Sequence, residues 1–192
     1  MKNRIKDEIR GVGLFVGIIW LVFLVDWILP INLNHWGIAP RSWSGLLGIF
    51  TMPFLHGNWQ HLIGNTIPLA VLLCLLAGSR TNSFRIASSL AVIGGSLLWL
   101  LGPGPAADGT IGVHIGASGL IYGLITFLIA GGITERRPLT LVSAVFVGLL
   151  YGTTLFQGIL PFTVNEGISW QGHLAGATAG VLLGRFAVHP AK

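Results

Sequence analysis

The chain has 192 residues, 53% of them hydrophobic and only 9% charged, with a mean hydropathy of +0.78. A soluble domain carries about 25% charged residues and has too much surface to hide such an apolar majority, which excludes a water-soluble globule and leaves a membrane as the solvent. The net charge of +5 does not mark a nucleic-acid reader, because the basic residues stand in gaps between apolar runs instead of sharing one face.

Six apolar runs come near the roughly 20 residues needed to cross about 30 Å of hydrocarbon. They fall at 11–29, 60–78, 86–102, 117–131, 139–158 and 169–187. The predicted fold is an all-α membrane protein of six transmembrane helices, one membrane domain over 11–188 between short segments at 1–10 and 189–192. The first run is no cleaved signal peptide: it is too long, it contains Asp26, and no small-residue cleavage site follows. After it, the loop at 30–59 carries Trp36, Trp43, Phe50 and Phe54, amphipathic aromatics that favour the headgroup layer, so this loop is expected to lie partly in the interface. Cys74, in the second run without polar neighbours, reads as a packing residue, and a lone cysteine allows no intrachain disulfide.

Lysine and arginine placement sets the orientation. With the N-terminus cytoplasmic, the inside holds Lys2, Arg4, Lys6, Arg10, Arg80, Arg85, Arg136, Arg137, Arg185 and Lys192, and the outside only Arg41. Both termini are therefore expected inside. The outer loops are then 30–59, 103–116 and 159–168.

The fourth run is the anomaly. Before Ser118 the chain reads Gly109-Thr110-Ile111-Gly112-Val113-His114-Ile115-Gly116, a poor helix former because of its glycines. A helix from Ser118 to Gly131 would span about 21 Å, some 9 Å short of the hydrocarbon thickness. Non-helical backbone at that depth must be buried in protein or line a watery cavity. Ser118 would start this helix beside unpaired N–H groups and the positive end of its dipole, a setting suited to a developing oxyanion.

Polar residues within the runs mark three stretches, and such residues in a span are functional candidates by default. His61 and Asn65 stand four apart on one helix face at the outer end of the second run, preceded by His56. Alone, they could be a helix–helix hydrogen-bond pair. Gly116-Ala117-Ser118-Gly119 opens the fourth run, where a serine among glycines is commonly a packing residue. Ser169-Trp170-Gln171-Gly172-His173 opens the sixth, and Gly172, Gly176, Gly180 and Gly184 follow at four-residue spacing. Such a small-residue stripe permits close helix approach, and Gly119 and Gly123 offer a matching face. Their packing could bring Ser118 and His173 together.

Taken together, these stretches resemble the rhomboid protease family. Its pattern is a histidine ahead of a His-x-x-x-Asn in the second helix, a Gly-x-Ser-Gly at a shortened fourth helix, and a His-x-x-Gly-x-x-x-Gly in the sixth. Here they read His56…His61…Asn65, Gly116-Ala117-Ser118-Gly119 and His173…Gly176…Gly180, and the agreement covers about residues 10–188. The resemblance implies an intramembrane serine endopeptidase of the minimal bacterial form, in the bacterial inner membrane, with its site open to the outer side. It makes Ser118 the nucleophile and His173 the base. His61 and Asn65, with the Ser118 N–H, become the oxyanion donors. Tyr122 takes the position that packs on the catalytic histidine, His56 one that organises the first loop, and Gly116, Gly119, Gly176 and Gly180 are supporting glycines. Many members carry a Trp-Arg pair in the first outer loop, where this chain has Pro40-Arg41-Ser42-Trp43.

No carboxylate falls in the fourth or sixth run, so the expectation is a Ser-His dyad working without metal or cofactor. The partners implied are the lipid bilayer and transmembrane protein substrates, cut in or near the outer end of a transmembrane segment. The rival is a catalytically inactive rhomboid relative that binds membrane-protein clients; such relatives lose the serine or the histidine, and both are present here. A metalloprotease built on His56, His61 and His173 would lack the His-Glu-x-x-His pair. A transporter would call for an internal repeat, which the sequence lacks. His114 reads as a loop residue lining the cavity, and Asp26 as an interfacial residue.

Overall fold

The computed structural model describes residues 2–79, 82–106, 108–164 and 167–186. Among them are α1 (Lys2–Ile28), α2 (Gly48–Thr51), α3 (Trp59–Ser79), α4 (Ser83–Leu101), α5 (Ser118–Glu135), α6 (Pro138–Gly158) and α7 (Trp170–Phe186), with no named strand. The four-residue α2 belongs to the first loop, and the other six helices answer the six predicted runs. Five of these are long and apolar enough to cross a membrane. The sixth, α7, has 17 residues and reaches about 26 Å. The chain is an all-α, multi-pass integral membrane protein. Arg80, His189, Lys192 and the 189–192 tail lie outside the described residues.

The outward faces confirm the solvent. On α6, Val142, Val145, Leu149 and Phe156 form a stripe at helical spacing, with Leu149 84% exposed. In water such a stripe would be an aggregation surface; in lipid it is the ordinary helix exterior. Cys74 is also exposed, so the expectation that it packs inside is corrected. The inward stripe of α3 runs through Leu62, Asn65, Leu69, Leu72, Leu73 and Leu76, and Cys74 falls off it.

The axis of the bundle is α5, where thirteen of 18 residues are buried. Its start at Ser118 agrees with the sequence, but its end does not: the helix continues past Gly131 to Glu135 and spans about 27 Å. The Gly131-Gly132 pair reads as a terminator, yet a methyl group on Gly132 would collide with the Thr140 carbonyl of α6, so this glycine serves close packing. The helix stops instead at Arg136, a left-handed residue with φ 57° whose N–H reaches the Gly132 carbonyl at 3.1 Å. At 18 residues α5 is shorter than α3 and α6, with 21 each, but longer than α7, with 17, so its shortfall against about 30 Å of hydrocarbon is about 3 Å instead of the expected ~9 Å. The extension places a carboxylate, Glu135, on the same helix as Ser118, but about 25 Å along the axis from it.

The loop between α1 and α3 is folded. Asp26 caps its first turn, accepting from the Leu33 N–H and from Asn34 Nδ2. Arg41 fastens it to the C-terminal end of α4: its N–H donates to the Trp99 carbonyl at 2.9 Å and Nη2 to the Gly102 carbonyl at 3.2 Å. Trp99 Nε1 returns a bond to the Ser42 carbonyl at 2.9 Å. Trp36, Trp43 and Phe50 stay exposed on the loop, the disposition an interfacial segment requires.

Candidate active site

The most extensive helix contact in the bundle is between α5 and α7, and glycine makes it possible. A methyl group on Gly176 would collide with the Gly119 carbonyl, and one on Gly180 with Thr126 Oγ1 and the Gly123 carbonyl. Thr126 Oγ1 donates across the interface to the Ala177 carbonyl at 2.8 Å. Close backbone approach and such bonds are what hold helices together in lipid, where no hydrophobic force separates them from the acyl chains. Gly172 differs from the rest of the stripe: a methyl there would meet Ser169 Oγ and Leu98, not α5.

This contact brings the N-terminal ends of the two helices together. Gly119, next to Ser118, packs so closely that an added methyl would sit 3.3 Å from the carbonyl of Gly172, next to His173. The His173 ring is buried and stacks on Tyr122, with centroids 4.1 Å apart and planes 5° from parallel. His173 Nδ1 lies 2.9 Å from the Gly158 carbonyl oxygen. A carbonyl can only accept, so Nδ1 carries the proton and Nε2 keeps its lone pair. Tyr122 is held in turn by its hydroxyl, which donates to the Thr154 carbonyl at 3.0 Å. The Tyr122 hydroxyl occupies the space a methyl on Gly158 would need. The last turn of α6 therefore grips both rings.

Gly158 was not legible in the sequence. Its contribution is a backbone carbonyl, which leaves no residue-type signature, and a glycine after Gln157 at a helix end reads as an ordinary terminator. Ser118 itself is half-buried and forms no hydrogen bond to His173 in this structure.

The opposite wall comes from α3. Asn58 Oδ1 caps this helix by accepting the His61 N–H at 2.8 Å. The His61 and Asn65 side chains then converge on Gly116, two residues before Ser118. A Cβ on Gly116 would lie 2.5 Å from His61 Nε2 and 3.5 Å from Asn65 Nδ2. Gly116 also has φ +111°, a conformation other residues rarely adopt, so two independent constraints demand glycine here. Its N–H is anchored on the Met52 carbonyl at 2.9 Å.

Asn65 Nδ2 is paired with His56 Nε2 at 3.0 Å, an amide N–H donating to a ring lone pair, which leaves the second amide hydrogen free. His56 is buried with its ring centroid 4.9 Å from that of His61. Burial, and then the neighbouring His61, push the His56 imidazole down to about 4, so it is neutral and able to accept at ordinary pH. Beyond the loop role expected of it, His56 thus orients Asn65. At the start of α5, Ala117 provides no side-chain cap, which leaves first-turn N–H groups beside Ser118 without a side-chain partner. Among the described residues, no group of three or more His, Cys, Asp or Glu side chains is gathered to hold a metal ion.

Residues 43–190 match the Rhomboid domain family model. An uncharacterized protein of Mycobacterium tuberculosis is 39% identical over 169 residues, which cover 88% of this chain and 70% of that protein. One from Mycobacterium leprae is 37% identical over 184 residues, 94% of this chain and 72% of that protein. The matched region takes in α3 to α7 and every motif residue from His56 to Gly180, so the chain belongs to the rhomboid family.

Proposed function

We propose that this chain is an intramembrane serine endopeptidase that hydrolyses a peptide bond in or near the outer end of transmembrane segments, using Ser118 and His173 as a dyad. The observation that carries the reading is the clamp on His173. Its ring is fixed face-on by Tyr122 and its Nδ1–H by the Gly158 carbonyl, which leaves Nε2 as a lone-pair base near the helix start that bears Ser118.

The chemistry follows from that tautomer. Nε2 takes the Ser118 proton as Oγ attacks the substrate carbonyl. The imidazolium so formed is stabilised by the Gly158 carbonyl at the negative end of α6, in the place where many serine hydrolases use a carboxylate. The tetrahedral oxygen meets the Ser118 N–H, His61 and Asn65. His173 then gives the proton to the leaving amine as the C–N bond breaks, and a water activated by the same base releases the acyl group from Ser118. The Ser118–His173 hydrogen bond closes on substrate binding, since such bonds are often long without substrate. No step calls for a metal or cofactor.

The substrate reaches this site from the bilayer as a transmembrane helix, whose end must unwind to expose an amide. Family likeness adds a preference for a small residue before the cut. The catalytic unit spans residues 11–188 in the bacterial inner membrane, with both termini cytoplasmic and the site open to the outer side. Reconstituted wild type should cleave a transmembrane reporter, and Ser118→Ala should bind it uncut. Equal cleavage by both would overturn the serine mechanism, and binding without cleavage by the wild type would favour the client-binding reading.

A further inference from the structure

Two side chains that the dyad does not use stand in register with it. His114 lies four residues before Ser118, and Ser169 four residues before His173. His114 Nδ1 and Ser169 Oγ are 2.6 Å apart. The pair therefore joins the two non-helical segments that lead into the dyad helices.

Both members are themselves anchored. The His114 backbone pairs in both directions with buried Ile38 of the first loop, donating at 2.8 Å and accepting at 2.9 Å. Ser169 Oγ accepts the Gly172 N–H at 3.0 Å, and the Ser169 carbonyl accepts the His173 N–H at 3.2 Å, so Ser169 caps the very turn that carries His173. Ser169 Oγ, with one hydrogen and two lone pairs, can accept from Gly172 and still share a hydrogen bond with His114 Nδ1, while the other ring nitrogen, Nε2, is left buried without a partner. A buried polar atom of this kind calls for an explanation. Position supplies one: the ring is held where it serves Ser169, at the expense of its far nitrogen.

We infer that His114 and Ser169 are positioning residues whose hydrogen bond sets the spacing between Ser118 and His173. This inference rests on the dyad proposed above. The glycine contact between α5 and α7 ends at Gly119 and Gly172, next to Ser118 and His173, and beyond it the irregular segments that lead into both helices are joined by the His114–Ser169 bond. A displacement of about 1 Å between reacting groups can cost about 10²-fold in rate. The tether removes that freedom from the outer side.

The test is the rate at which a fluorophosphonate labels Ser118 in the folded, detergent-purified protein, which reads dyad geometry without a protein substrate. His114→Ala and Ser169→Ala should each slow labelling about tenfold or more. The double variant should be no slower than the slower single, because both remove the same interaction. Ser169→Thr and His114→Asn, which keep a hydroxyl and a polar atom at the Nδ1 position, should stay within about threefold of wild type. KM for a transmembrane reporter should hold while kcat falls. Single variants that label at the wild-type rate, penalties that multiply in the double variant, or conservative variants as slow as the alanine ones would each overturn the tether. Folded wild type that does not label at all would instead overturn the dyad reading on which the tether depends.

Discussion

The Tyr122 and His173 rings lie face to face, 4.1 Å apart at their centroids and 5° from parallel. Tyr122 is on the helix that Ser118 starts, so the helix that carries Ser118 also orients the His173 ring. Tyr122→Phe keeps the stacking surface and loses only the bond to Thr154, and should cost a few-fold in kcat. Tyr122→Ala removes the surface and should cost about 10²-fold, the scale of a small misplacement of reacting groups. Equal rates for the alanine variant and wild type in reporter cleavage would remove Tyr122 from the account.

Gly158 should tolerate no side chain. A methyl there would fall on the Tyr122 hydroxyl, while the Gly158 carbonyl must keep its hold on His173 Nδ1. Gly158→Ala should lower kcat at least about tenfold and destabilise by about 1–3 kcal/mol, the usual cost of overpacking. Thermal unfolding in detergent and reporter cleavage read the two effects separately.

The α5–α7 seam offers a contrast within one residue type. Gly176→Ala should destabilise by about 1–3 kcal/mol or more, because its methyl meets the Gly119 backbone, which cannot swing aside. Gly148, on α6, has nothing within 4 Å of an added methyl. Gly148→Ala should be neutral or slightly stabilising, since alanine is the better helix former. Similar unfolding midpoints for the two variants would contradict the seam.

His56 gives stability an acid limit. Its folded-state value of about 4 lies below the ordinary 6.5, so between these pH values the unfolded chain binds more protons than the folded one. Its contribution is complete above about pH 6.5 and is lost as pH falls toward 4. Protonated Nε2 also cannot accept from Asn65, so the hold on the Asn65 amide loosens in the same window. The unfolding midpoint should fall from pH 6.5 to 4, with a shallower slope in His56→Asn. His114, also lowered by burial, adds a loss of the same sign.

Much of this was legible because membranes impose simple rules. Helix positions followed from apolar run lengths, and the approach of α5 to α7 from glycines spaced four apart. The conjunction of His61, Asn65, Ser118 and His173 marks the candidate site in the sequence. What escaped depends on tertiary neighbours. The end of α5 was misplaced because Gly132 answers to α6 rather than to helix propensity. Cys74 faces outward because the buried stripe of α3 occupies the other side of the helix. The Gly158 carbonyl, the Asp26 cap and the His114–Ser169 bond are contacts between segments far apart in the chain or made by backbone atoms, and no local spacing encodes them.

The most direct test of the central claim is mass analysis of the intact protein after fluorophosphonate treatment, with the adduct mapped to a residue. The account predicts one adduct, on Ser118, formed by wild type, absent from Ser118→Ala, and slowed by at least about 10²-fold in His173→Ala, in parallel with reporter cleavage. An adduct on another residue, or a wild-type labelling rate in His173→Ala, would contradict it.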